Sequence, residues 1–155
     1  MAQQTSAVAE TSVDRAGLID ALNGDLAREY QAIIAYTVYS QVLKGPQYMA
    51  IAKELETHAS EELSHAIRIS RQIDYLGGKP TATPMPVATP DDAVGMLEAD
   101  LRNEVETIRH YRTRVVQCER LGEFAMAEEI REILRDEQEH AIDLATALGR
   151  DVPVI

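Results

Sequence analysis

Six residues of the chain, Leu22, Asp25, Leu26, Glu29, Ile33 and Tyr36, return in the same order 75 positions later as Leu97, Asp100, Leu101, Glu104, Ile108 and Tyr111. The same offset relates Ala50, Ala52, Glu62, His65 and Ala66 to Ala125, Ala127, Glu137, His140 and Ala141. A duplication on this scale demands a fold with two equivalent halves. The apolar matches say little, since any two core-facing helices share them. Packing alone has no need of a repeated Glu, Tyr and Glu-x-x-His. The polar matches therefore carry the information.

The periodicity around the repeat is helical. Leu18, Leu22, Leu26, Ile33, Val38 and Val42 recur at helical spacing from about Asp14 to Lys44, where Gly45-Pro46 breaks the pattern. A second helix is expected from about Gln47, through Ile51, Leu55, Leu63, Ile67 and Ile73, to Leu76, with Gly77-Gly78 ending it. Residues 79–90 hold four of the six prolines and no helical period, which reads as an extended crossover. Thr89-Pro90-Asp91-Asp92 reads as the next helix start, with a capping hydroxyl, a proline in the first turn and acids at the positive dipole end. The third helix then covers roughly Pro90 to Arg120, and the fourth runs from about Glu123 to Leu148. The expectation is an all-α protein: an antiparallel four-helix bundle of two hairpins over residues 14–149, with tails at 1–13 and 150–155 and no fifth helix.

In this arrangement Glu29 and Glu62 lie level across the first hairpin, and Glu104 and Glu137 across the second. At the rise of an α-helix each glutamate is roughly 25 Å from its turn, near mid-height. Docking the hairpins gathers all four at one level. Glu62 and His65, like Glu137 and His140, are three residues apart and share a helix face, so one carboxylate and one imidazole can converge on a common ion. Four buried carboxylates are untenable without compensation. Two divalent cations cancel their charge, and two neutral imidazoles complete the donor set.

The remaining composition excludes more than it assigns. A net charge of -11, with no Lys/Arg cluster at either terminus, argues against nucleic acid as the partner. No apolar run is long enough to cross a bilayer, and MAQQTSAVAETS has neither the basic start nor the apolar stretch of a secretory signal, so a cytoplasmic location is expected. The single cysteine, Cys118, reads as a small, semi-buried side chain. Met49, Met96 and Met126 read as core. His58 and His110 lack a repeated companion and read as bystanders, and Glu54, Glu129 and Glu132 read as solvated acids or partners of basic residues.

The segments LAREYQAIIAY, EELSHA, DLRNEVE and EILRDEQEHA resemble the ferritin-like di-iron superfamily, and bacterioferritin most closely, over roughly residues 14–149. The resemblance implies metal ligands at Glu29, Glu62, His65, Glu104, Glu137 and His140, with Glu62 and Glu137 as bridges. It also places Tyr36, and its repeat Tyr111, beside the metal centre, to hydrogen-bond a ligand carboxylate or supply an electron. The implied activity is oxidation of Fe(II) by dioxygen or peroxide for iron storage or detoxification, at two non-haem iron ions. Manganese is an alternative and zinc an adventitious occupant. Leu63 stands where bacterioferritin carries a haem-ligating methionine, so no haem is expected. The implied assembly is a homo-oligomer: a Dps-like shell, a larger ferritin cage or a dimer. Two other readings share the pattern: a di-iron or di-manganese peroxidase or catalase, and a structural bundle with a vestigial site.

Overall fold

The structure, a computed structural model, describes residues 12–155. Four long helices account for most of them: α1 (Arg15–Val42), α2 (Met49–Tyr75), α3 (Ala93–Arg120) and α4 (Phe124–Ala147). The residues after Ala147 form no further helix. They fold back instead, with Arg112 Nη1 donating to the Ile155 carbonyl at 2.6 Å and Val152 and Ile155 packing on the core. The tail at 1–13 lies almost wholly outside the described residues. No helix among the described residues is long and apolar enough to cross a membrane.

Two helix starts differ from the sequence expectation. The chain turns after α1 through a short 3-10 segment, Pro46–Tyr48, so α2 begins at Met49 rather than Gln47. Pro46 presets φ at the first position, while Gly45 at the cap position has no side chain to accept from the first turn, which winds as a 3-10 segment. At α3 the cap is Asp92 rather than Thr89: its carboxylate accepts from Gly95 N at 2.8 Å, and Pro90 stays outside the helix. A carboxylate adds charge complementarity to the dipole that a hydroxyl lacks. Asp14 caps α1 in the same way, accepting from Gly17 N at 2.8 Å. The second hairpin turns at Gly122, whose φ of 77° lets Glu123 N reach back to the Cys118 carbonyl at 2.9 Å.

The crossover lies along α1. Asn23 Nδ2 donates to the Lys79 carbonyl (3.1 Å) while its Oδ1 accepts from Thr81 N (2.7 Å). Met85 N donates to the Ala27 carbonyl at 2.9 Å, and the Tyr39 hydroxyl donates to the Ala88 carbonyl. The segment therefore climbs the full bundle, and α3 starts at the end where α1 finishes. This makes α1 and α3 antiparallel.

The apolar core is split in two. One cluster contains Tyr36, Tyr39, Leu55, Leu97, Leu101, Ile108 and Leu144. The other contains Leu18, Leu22, Leu26, Ile69, Ile73, Tyr111, Met126 and Ile130. Met96 and Met126 are buried as expected, but Met49 is 72% exposed. Cys118 is fully buried, and burial pushes its thiol up to about 11. Val38, Val42, Leu63 and Ile67, expected on the core stripe, face outward, with Leu63 53% exposed. A helix in a four-helix bundle buries only part of its circumference, and an apolar period cannot say which part.

Candidate metal centre

A layer of buried polar side chains separates the two apolar clusters. Glu29 comes from α1, Glu62 and His65 from α2, Glu104 from α3, and Glu137 and His140 from α4. All six are nearly inaccessible to solvent. Their ligand atoms fall into two sets, each within 4.8 Å: Glu29, Glu62, His65 and Glu137, and Glu62, Glu104, Glu137 and His140. Glu62 and Glu137 belong to both. All six residues expected from the repeat thus meet in one place, each set drawing on three helices.

Both imidazoles aim Nδ1 inward. His65 Nδ1 lies 3.2 Å from Glu62 Oε2, 3.3 Å from Glu137 Oε1 and 3.4 Å from Glu29 Oε2. His140 Nδ1 lies 2.9 Å from Glu62 Oε1 and 3.3 Å from Glu137 Oε2. The Glu62 contact is close but lacks hydrogen-bond alignment, leaving both atoms buried without a hydrogen-bond partner. Glu29 Oε2, Glu104 Oε2 and both Glu137 carboxylate oxygens are likewise unpartnered. So many orphaned acceptors in one spot would be costly in a finished protein core. Oxygen and nitrogen donors in this proportion fit iron or manganese ions bridged by carboxylates.

The outer ring nitrogens are held by a second pair of acids that also obeys the repeat. His65 Nε2 lies 3.1 Å from Asp136 Oδ2, and His140 Nε2 lies 2.8 Å from Glu61 Oε2. A carboxylate acceptor there keeps the proton on Nε2 and leaves the Nδ1 lone pair for an ion. Glu61 and Asp136 are 75 positions apart. Matching identical residues passes over them because one is Glu and the other Asp; matching charge would have found them.

The tyrosines complete the symmetry. The Tyr36 hydroxyl donates to Glu104 Oε1, and the Tyr111 hydroxyl donates to Glu29 Oε1, so each reaches the terminal carboxylate of the opposite half. Burial, with the nearby carboxylates, holds both phenols well above their ordinary pKa. They are therefore neutral donors. Below them the symmetry breaks: Asp25 makes a buried ion pair with Arg114, at 2.6 Å from Nε. Among the described residues its repeat Asp100 has no such cation, and burial and Glu62 raise its carboxyl well above the usual range.

Without metal the six residues share protons. Burial, reinforced by Glu62 and Glu137, raises Glu29 well above the ordinary carboxylate range, and burial with Glu137 and Glu62 does the same to Glu104. Burial also opposes ionisation of Glu62 and Glu137, but Glu29 and the two imidazoles close to Glu62, and the two imidazoles close to Glu137, outweigh it and lower both. Burial disfavours charge on the rings too, yet the carboxylates around them reverse this, raising both above the ordinary imidazole range and His140 to about 12.

Of the two remaining histidines, His110 lies apart from the six residues, partly buried with Nε2 2.8 Å from Arg28 Nη2. His58 lies against them. It is 1% exposed, stacks on His140 with ring centroids 4.1 Å apart, and meets Tyr36 edge-on at 5.3 Å. A cavity of about 10 Å³, lined by Gln31, Ala32, Asn103 and Thr107 among others, reaches the glutamates from the α1/α3 side. It is on the scale of one water or ion.

The profile of the ferritin-like domain family matches residues 19–151. The chain is 29% identical to the bacterioferritin of Brucella melitensis over 132 residues, spanning 84% of this chain and 82% of that one. It is 30% identical to the bacterial ferritin of Pseudomonas aeruginosa, covering 85% and 86% of the two chains. Among solved structures, a ferritin-like, diiron-carboxylate protein from Bacillus anthracis superposes with a TM-score of 0.84 at 34% identity, covering 88% of this chain and 99% of its own.

Proposed function

The chain belongs to the ferritin-like domain family, and on that footing we propose that it is a ferroxidase, oxidising Fe(II) with dioxygen or peroxide in the service of iron storage or detoxification. The observation that carries this reading is the pair of four-residue sets sharing Glu62 and Glu137. Glu29 and His65 would hold one ion and Glu104 and His140 the other, with Glu62 and Glu137, which belong to both sets, shared between them. Two ferrous ions give one electron each; dioxygen takes the pair with two protons to become hydrogen peroxide, or hydrogen peroxide takes it with two protons to become two waters. The resemblance to bacterioferritins and to a diiron-carboxylate protein supports iron as the metal. Manganese shares its donor preference.

The chain's own groups have distinct tasks. Asp136 and Glu61 orient the imidazoles so that Nδ1 faces the ions. Tyr36 and Tyr111 hold Glu104 and Glu29 in place and are the nearest groups able to supply a further electron. The two apolar clusters keep bulk water from the layer. Outward-facing Ile34, Val38, Val42, Leu63 and Ile67 on α1 and α2 suit contact with a second copy of the chain, in line with a homo-oligomer.

Aerobic addition of Fe(II) to metal-free protein tests the proposal through ferric-oxo absorbance. Many irons taken up per chain indicate storage; two per chain with peroxide turnover indicate a peroxidase-type enzyme. Glu62→Ala with Glu137→Ala should abolish oxidation and leave a folded bundle. Oxidation at the parental rate in that variant would refute the ligand assignment.

A further inference from the structure

On the α2/α4 side of His140, away from the paired sets, lies a second cluster of metal-ligating type. Ligand atoms of Glu54, His58 and Asp143 all fall within 4.8 Å of one another. His58 Nε2 is 3.1 Å from Asp143 Oδ2 and 3.9 Å from Glu54 Oε1. The ring is buried, while the side chains of Glu54 and Asp143 are 48% and 39% exposed. They border an open groove of about 380 Å³, lined also by Gln47 and Thr146. A buried imidazole thus faces a carboxylate pair at the mouth of an open groove.

The internal duplication supplies the independent argument. At the offset of 75, Glu54, His58 and Asp143 correspond to Glu129, Ile133 and Arg68. In that half the place is filled by a cation belonging to the chain: Arg68 Nε bonds Glu129 Oε2 at 2.6 Å, and its Nη2 bonds Glu132 Oε2 at 2.7 Å. At the Glu54 cluster the arginine is replaced by an acid, Asp143 of α4, and the isoleucine by an imidazole, His58. The acid repeated as Glu54 and Glu129 stays, the built-in cation is gone, and a nitrogen ligand has been added.

We propose that Glu54, His58 and Asp143 form a third site, for an exchangeable divalent first-row transition cation, at the surface beside His140. One nitrogen and two carboxylates are the donor set such an ion takes, with water from the groove completing it. Glu61 continues the run of ligand atoms inward: those of His58, Glu61 and His140 also lie within 4.8 Å of one another. The site stands on its own residues, independently of the paired sets.

The test is equilibrium dialysis of metal-free protein against Co(II) under anaerobic conditions, with anomalous diffraction to locate the ions. Three ions per chain are expected for the parent and two for Asp143→Arg, which rebuilds the arrangement of Arg68. The milder pair Glu54→Gln with Asp143→Asn should also bind two, with an unchanged thermal midpoint showing that the fold is intact. Glu62→Ala with Glu137→Ala should keep one ion, at His58. A parental count of two, or three ions retained in Asp143→Arg, would overturn the third site and leave the paired sets standing. Failure of the paired sets alone would show as a single parental ion, located at His58.

Discussion

Loading the six-residue centre with two divalent ions should release about four protons per chain. In the metal-free protein, burial and neighbouring carboxylates raise Glu29 and Glu104 well above the ordinary carboxylate range, which favours a proton on each. His65 and His140 hold one more each because the carboxylates around them outweigh burial. Glu62 and Glu137 are ionised, so the empty layer is neutral, with two anionic carboxylates against two imidazolium rings. Two divalent ions require four carboxylates and two free Nδ1 lone pairs, so all four protons leave and the layer is again neutral. That is about two protons per ion. Affinity should then strengthen about a hundredfold per ion for each unit of pH, or about 2.7 kcal/mol. The sign follows from which state holds the protons: the empty site does, so binding is favoured as pH rises and lost as it falls. Because His140 is raised to about 12, the dependence should persist above neutral pH. Calorimetry of anaerobic Fe(II) binding in buffers of different ionisation enthalpy counts the protons directly. A release of one proton or fewer per chain would refute the reasoning, since the carboxylates would then be ionised and balanced before any metal arrives.

Three further outcomes follow from particular contacts. Arg114→Met should destabilise the protein by about 3–5 kcal/mol in chemical denaturation, because it leaves Asp25 buried and unpaired, whereas the same change combined with Asp25→Asn should recover most of the loss. Tyr36→Phe should leave the helical circular dichroism unchanged and slow Fe(II) oxidation in stopped-flow measurements, since Glu104 loses its hydroxyl donor. Asp92→Ala removes the α3 cap and should cost about 1 kcal/mol, a fall of roughly 2–4 °C in the thermal midpoint.

Much of this protein is decided along the chain. The helices, their hairpins and the proline-rich crossover follow from local periodicity and breakers, and the six inward acids and imidazoles follow from a duplication whose spacing places them level and on one face. Those are properties of a single helix and the length of a turn. What meets across the bundle depends on docking: Glu61 with the far His140, Asp136 with the far His65, Arg114 with Asp25, and His58 stacked on a ring 82 positions away. The outward turn of Leu63 and Val38 belongs to the same class. Spacing within a helix sets which side chains share a face, but the neighbour opposite that face is chosen by how helices distant in sequence pack, and nothing local encodes it.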